Sequence, residues 1–465
     1  MLFSSVSFLY GFLPLALAAH WLAPRRWRNT VLLIASLINY MLGEPGYMAL
    51  MLMTAASDWA HGLLIARWRE TPRARRVLLS SIVIDLGLLA FFKYADFVID
   101  SLNMLPGVEL GRLGLPLPLG ISFFTFQTLS YTVDVYRGRV APQRSLASYV
   151  TYVSLFPQLI AGPIVRYGDV DAELRQRTIG IEDVGLGVRR LVLGLGKKAL
   201  LANMLGELCA EFRAADAPGT LFYWMYAGAY ALQVYFDFSG YSDMAIGMGR
   251  MLGFKFPENF DHPLTARSLS EFWRRWHMTL GSWFRDYVYI PLGGNRAGRL
   301  RWVRNLAIVW LLTGLWHGAA WNFVLWGAMM GALIIGEKLM WGKALERWPA
   351  VLRHVYVVIA VLLSFVVFGA DGLGGALSDL GGLFGRGGRV FADSDALYWL
   401  SSYWSVLVVA ALGATTLPAR LWQWVSRHSG RVADVVEPLA LACVLLLATA
   451  ALVSGSFNPF LYFRF

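Results

Sequence analysis

The chain has 465 residues, 57% of them hydrophobic and only 15% charged, with a formal net charge of +11 and a mean hydropathy of +0.52. A soluble globular chain carries about 25% charged residues, so the composition excludes a soluble domain of useful size. The positive charge is scattered through loops, which excludes a nucleic-acid-binding patch and fits loops held on the cytoplasmic side of a membrane.

Apolar runs recur along nearly the whole length, near 5–24, 30–43, 47–66, 77–98, 117–136, 147–165, 183–206, 219–238, 303–316, 319–340, 352–371, 394–414 and 433–455. Several are short or broken by glycine, and about 11 to 12 true crossings are expected from segment length. The ten-residue alternation of a membrane barrel is absent. The predicted class is therefore an all-α polytopic membrane protein, read as one membrane-embedded domain over 1–465.

No Lys or Arg precedes the first run, and Arg25, Arg26 and Arg28 follow it. By the positive-inside rule this predicts an extracytoplasmic N-terminus, and it argues against a cleaved signal peptide, which needs a basic start. The loop Gly43-Glu44-Pro45-Gly46 has no basic residue, whereas Arg67, Arg69, Arg73, Arg75 and Arg76 return the next loop to the cytoplasm. The alternation holds through five runs. Polar residues at membrane depth, namely Asp58, His61, Asp85, Lys93, Asp96, Gln127, Gln158, Gln233, Asp237 and Asp243, read mostly as hydrogen-bonding partners between helices.

Further along, two motifs fail. Gly194-Leu-Gly196-Lys197-Lys198 resembles the end of a phosphate loop but has Leu191 for the first glycine and Lys198 for the magnesium-binding hydroxyl. Gly240-Tyr-Ser242-Asp-Met244 begins like a nucleophile elbow but lacks the second glycine and a preceding strand. Cys209 and Cys443 read as small buried hydrophobes, and no metal-ligand spacing exists.

The tract 255–305 holds Arg267, Arg274, Arg275, Arg285, Arg296, Arg299, Arg301 and Arg304 together with Trp273, Trp276, Trp283 and Trp302. Arginine and tryptophan at this density predict interfacial helices at the cytoplasmic headgroup layer. The glycine-rich 372–388 reads as a flexible connection, and 456–465 as an aromatic tail.

Of the histidines, His20, His354 and His428 sit near segment ends and read as snorkelling or loop residues, with His61 and His262 intermediate. His277 and His317 differ. The first closes Glu271-Phe-Trp-Arg-Arg-Trp-His277; the second lies in Gly314-Leu-Trp-His317-Gly-Ala-Ala-Trp321, inside an apolar run. An ionisable residue at membrane depth is costly and reads as functional. Imidazole is also the side chain suited to proton exchange near neutral pH. Glycine beside His317 would allow close approach of backbone or substrate.

These residues carry a resemblance. Phe272-Trp-Arg-Arg-Trp-His277, Trp283-Phe-Arg-Asp-Tyr-Val-Tyr-Ile-Pro-Leu-Gly-Gly-Asn295 and Gly314-Leu-Trp-His317-Gly-Ala resemble the signature of membrane-bound O-acyltransferases (the MBOAT family). Leu232-Gln-Val-Tyr-Phe-Asp237-Phe-Ser-Gly-Tyr-Ser-Asp243-Met-Ala-Ile-Gly247 is similar to a block of the bacterial branch, which includes alginate O-acetylation proteins and the teichoic acid D-alanyl transferase. Phe3-Ser-Ser5, Gly120-Ile-Ser-Phe-Phe124, Asp134-Val-Tyr-Arg137 and Phe156-Pro-Gln-Leu-Ile-Ala-Gly-Pro163 look like the alginate-type members.

The resemblance implies a ring of tilted helices around a funnel, with His317 as the essential histidine and His277 as the second. It implies a cytoplasmic thioester donor, acetyl-CoA or an acyl carrier protein, and no permanently bound cofactor. An acceptor hydroxyl would enter from the other side. Neutral His317 would take the hydroxyl proton as oxygen attacks the thioester. A hydrogen-bond donor for the oxyanion is also needed, from the Asn322 amide or a Trp indole N–H. His277 would position the donor, and Arg274 and Arg275 would contact its phosphates or else anchor to headgroups.

The tail spacing Phe460-x-Tyr462-x-x-Phe465 resembles the motif of the small membrane peptide of teichoic acid D-alanylation. That makes Tyr462 an acyl-relay candidate, against a plain aromatic anchor. The expected function is acetyl transfer for an exported polysaccharide such as alginate or cellulose. The expected partners are membrane lipids, an extracytoplasmic acetyltransferase and the polysaccharide synthase machinery in the inner membrane. Another acyl group or acceptor, such as D-alanyl transfer to teichoic acid, and a flippase of a lipid-linked sugar are the alternatives. A flippase would have no use for a base at His317.

Overall fold

A computed structural model describes every residue except 297, 456, 457 and 459–465. The described residues form helices joined by turns, with no strand among them. Six helices among the described residues are long and apolar enough to cross a membrane: Pro45–Arg67, Pro72–Leu102, Trp321–Glu346, Ala350–Phe368, Ser394–Gly413 and Gly430–Ser454. This is an all-α, multi-pass membrane protein. Other predicted runs are helices of lower hydropathy or shorter length, such as Ile121–Tyr136, Thr220–Met251 and Arg299–His317.

The chain divides into two compact units, Met1–Leu191 with Tyr241–Glu258, and Val192–Gly240 with Asn259–Phe465. In the first unit, the run 147–165 is helical only over Leu146–Ser154. Pro157 and Pro163 explain the break, because the residue before a proline is pushed out of the helical region. Residues 155–165 continue as irregular but buried backbone. Its polar groups are met inside the protein: the Phe156 amide donates to Ser36 Oγ, and Gln158 Nε2 donates to the Tyr152 carbonyl. Irregular backbone at membrane depth is tolerated only when the protein covers it in this way. Several intramembrane polar residues are also bonded to neighbours: Ser81 Oγ donates to Asp58 at 2.8 Å, and Thr128 Oγ1 to Asp85 at 3.3 Å. His20 is fully buried rather than snorkelling, because the first helix packs that face inward.

The second unit holds both signature histidines. Two expectations change here. Residues 372–383 are not a flexible connection but the helix Gly372–Leu383. Its glycines permit close packing, since a Cβ at Gly382 would lie 2.3 Å from the Tyr223 ring. Asp379 anchors the helix to Arg213 at 2.7 Å, an ion pair that propensity alone does not foresee. Cys209 is buried as expected, but Cys443 is exposed, on a helix of which 6% is buried in the protein over its most apolar stretch.

Candidate active site

His317 is the last residue of the helix Arg299–His317, and Ala320 leads into the helix Trp321–Gly336 after a three-residue turn. The two helices meet through glycine, as membrane helices do when small residues let backbones approach. A Cβ at Gly314 would lie 2.3 Å from the Phe323 carbonyl oxygen, and one at Gly327 would lie 2.4 Å from that of Trp310. The space beside Gly318 is filled likewise, by the Phe323 ring at 2.1 Å from an added Cβ. The glycines around His317 therefore serve the hairpin, not the approach of a substrate.

This packing sets His317 in an aromatic cage. Its ring lies 5.0 Å from Trp316, 5.3 Å from Trp326 at 89° and 5.3 Å from Phe368 at 79°. His317 is 7% exposed. Asn322 fixes one wall: its Nδ2 donates to the carbonyls of Phe368 and Ala370, at 3.2 and 3.1 Å. Both amide hydrogens are thereby committed, so Asn322 is not the oxyanion donor that the sequence allowed.

His277 sits between the short helices Leu269–Arg275 and Met278–Phe284 with a left-handed backbone, φ +42°. That conformation is uncommon for a non-glycine residue and marks a constrained position. Asn259 supplies the constraint. Its carbonyl accepts the Met278 amide at 2.9 Å, and its Oδ1 accepts the Thr279 hydroxyl at 2.9 Å while standing 3.0 Å from His277 Nδ1. An acceptor oxygen there assigns the proton to Nδ1 and leaves Nε2 as the basic nitrogen. Burial, and then the neighbouring His317, hold the His277 imidazole well below its ordinary pKa, so it is neutral at pH 7. The two histidines are thus close enough for charge on one to oppose charge on the other. The Trp316 ring lies beside both, 5.8 Å from His277.

Glu337 ties the two histidine-bearing elements together. Its buried carboxylate accepts the Leu269 amide at 2.7 Å and the Ser270 amide at 3.1 Å. It caps the helix Leu269–Arg275, which ends two residues before His277, from the far end of the helix packed against the one bearing His317. A carboxylate at a helix N-terminus is favourable in itself. Asn259 and Glu337 hold the candidate site together, and sequence reasoning missed both. Neither carries a local signal, because each acts through an element distant in sequence.

The Arg/Trp tract behaves in two ways. Trp276 and Trp283 are buried at 4% and 6% exposure, so they pack inward rather than along a headgroup layer. The reason is local: Trp276 stacks on Phe272 at 5.4 Å and meets Phe260 at 5.2 Å. Arg274 is exposed. Arg275 is engaged by Glu271 at 2.8 Å and by the Thr265 hydroxyl at 3.1 Å, which leaves it less available for a phosphate than Arg274.

Beside Phe368 and Asn322 opens a cavity of about 700 Å³, lined also by Arg213, Tyr226, Gln233 and Asp371. Aromatic walls with a few polar groups suit a hydroxylated ligand. Tyr462 lies outside the described residues. Asn458 is described, and it accepts a hydrogen bond from Asn203 Nδ2 at 3.4 Å. Asn203 is about one turn from Gly206 of the cavity lining.

The geometry is that of two buried imidazoles among aromatic rings, His317 at the end of a helix and His277 beside it, and imidazole is the side chain suited to exchanging a proton near neutral pH. Comparison with known proteins gives the family. The MBOAT, membrane-bound O-acyltransferase family, matches residues 119–373. The probable alginate O-acetylase AlgI of Azotobacter vinelandii is 37% identical, with all of both chains covered. That of Pseudomonas aeruginosa is 41% identical over 80% of this chain and 73% of its own. The peptidoglycan O-acetyltransferase of Helicobacter pylori is 34% identical over 83% of this chain and 80% of its own. A family match over more than half the chain, and relatives of 34 to 41% identity that cover most or all of it, lead to one conclusion: the chain belongs to the membrane-bound O-acyltransferase family.

Proposed function

We propose that the protein moves an acetyl group from a cytoplasmic thioester, acetyl-CoA or an acyl carrier protein, for O-acetylation of an exported polysaccharide. The observation that carries this is the pair of enclosed histidines in a chain aligned from end to end with a probable alginate O-acetylase. His317 takes the proton of the attacking hydroxyl. His277, held by Asn259, presents Nε2 and orients the donor. Arg274 is the better placed of the two arginines to meet a donor phosphate. An extracytoplasmic acetyltransferase and the polymer synthase are the partners, in the inner membrane. Deleting the gene should remove O-acetyl groups from the exported polymer, measured by NMR, and a plasmid copy should restore them. Unchanged acetyl content in the deletion strain would sink the proposal.

The same reading sets a topology, with the N-terminus outside and the arginines of 267–304 inside. Arg299 and His317 are 18 residues apart on one helix, roughly 27 Å at 1.5 Å per residue, so the histidine lies deep in the membrane or beyond its middle from the charged end. Arg299 is exposed. With Cys209 and Cys443 replaced by serine, Arg299→Cys should resist an impermeant thiol reagent in intact cells and react after permeabilisation. Reaction in intact cells would invert the topology and put the donor on the wrong side.

A further inference from the structure

The acyl-transfer reading requires a hydrogen-bond donor for the oxygen that becomes negative when the thioester carbonyl is attacked. Asn322 is committed to two carbonyls. One turn further along the same helix stands Trp326, 1% exposed, with its ring perpendicular to that of His317 at 5.3 Å. Its indole Nε1 is buried and meets no acceptor among the described residues. A buried N–H normally has a partner, and one without carries the cost of its lost hydration. A donor with no acceptor at rest can serve an acceptor that exists only during a reaction. The ring is fixed by Phe368 at 5.2 Å, Trp273 at 5.6 Å and Trp310 at 6.1 Å, so the N–H needs no reorganisation when charge develops. The Trp273 indole Nε1 also meets no acceptor among the described residues, but Trp273 is only half-buried and its rings of contact are Phe272, Trp276, Trp310 and Trp326, not a histidine.

We propose that Trp326 is the oxyanion donor of this site, an inference that rests on the acyl-transfer reading above. His317 removes the acceptor's hydroxyl proton while the oxygen bonds to the thioester carbon. The π electrons move onto the carbonyl oxygen, and that oxyanion accepts the Trp326 N–H. As the carbonyl re-forms, the carbon–sulfur bond breaks and the thiolate leaves with the bonding pair. The imidazolium returns its proton to the sulfur. The products are an ester and a thiol, with His317 neutral again.

The test removes the N–H and keeps the shape. Position 326 is filled with 3-benzothienylalanine, in which sulfur replaces the indole nitrogen, and separately changed by Trp326→Phe. The full-length protein in detergent is given acetyl-coenzyme A and a short uronic-acid oligosaccharide, and thiol release is followed. Loss of an oxyanion donor should lower kcat by about 10² to 10³ in both variants, with KM and the pH profile unchanged and the thermal unfolding of the benzothienyl variant as in wild type. A benzothienyl variant with wild-type kcat overturns the inference, including the case in which only Trp326→Phe loses activity by unfolding. His317→Ala separates the two ideas. Wild-type turnover in that variant removes the base itself, whereas an inactive His317→Ala beside an unimpaired benzothienyl variant removes only the donor.

Discussion

His317→Ala is expected to lower acyl transfer by a factor of about 10² to 10⁴, the usual loss when a positioned general base is removed. Insertion and detergent extraction should be normal, because the glycine contacts between the two hairpin helices lie on the backbone and do not involve the imidazole. The assay is the O-acetyl content of exported polymer at matched expression. Wild-type acetylation in the variant would remove His317 from the mechanism. At position 277 the better substitution is His277→Asn, since asparagine tolerates the left-handed backbone found there. Its loss should be smaller than that of His317→Ala, as suits a residue that orients the donor. An equal loss would move His277 into the proton-transfer step itself.

Tyr462→Phe is expected to abolish polymer acetylation as completely as His317→Ala. A phenol of pKa about 10 can be deprotonated by a nearby histidine as it attacks, and the aryl ester it forms stays activated for onward transfer. Such a relay would let the donor remain inside while a bulky polymer remains outside. The substitution keeps the aromatic anchor and removes only the nucleophile. Asn458 is hydrogen-bonded to Asn203, about a turn from the cavity lining, and four residues of chain reach at most roughly 14 Å beyond it. Mass spectrometry of the C-terminal peptide, in cells lacking the extracytoplasmic partner, should show an added acetyl group on Tyr462. Full polymer acetylation in Tyr462→Phe would leave the tail as an anchor and nothing more.

Apolar run length marked the helices of this chain, because a segment that must satisfy its own backbone in a membrane advertises itself by composition. The same reasoning singled out His277 and His317, since a titratable side chain amid aromatics and apolar residues is conspicuous on its own. The run 147–165 hid a helix end at Ser154, and 372–388 hid a helix, because packing against Tyr223 and an ion pair to Arg213 overrode local propensity. The 39 residues between the two histidines gave no sign that the two meet. Their meeting depends on glycine contacts between two helices, on Glu337 capping Leu269 and Ser270, and on Asn259 holding His277 in a left-handed turn. Which donors stay open for chemistry was also a tertiary outcome. Asn322 and Trp326 are both plausible from their chemistry, and only the position of the Phe368–Ala370 carbonyls commits the one and leaves the other. Hydropathy is a property of each segment, whereas the partner of a polar atom is decided by whichever distant backbone is packed against it.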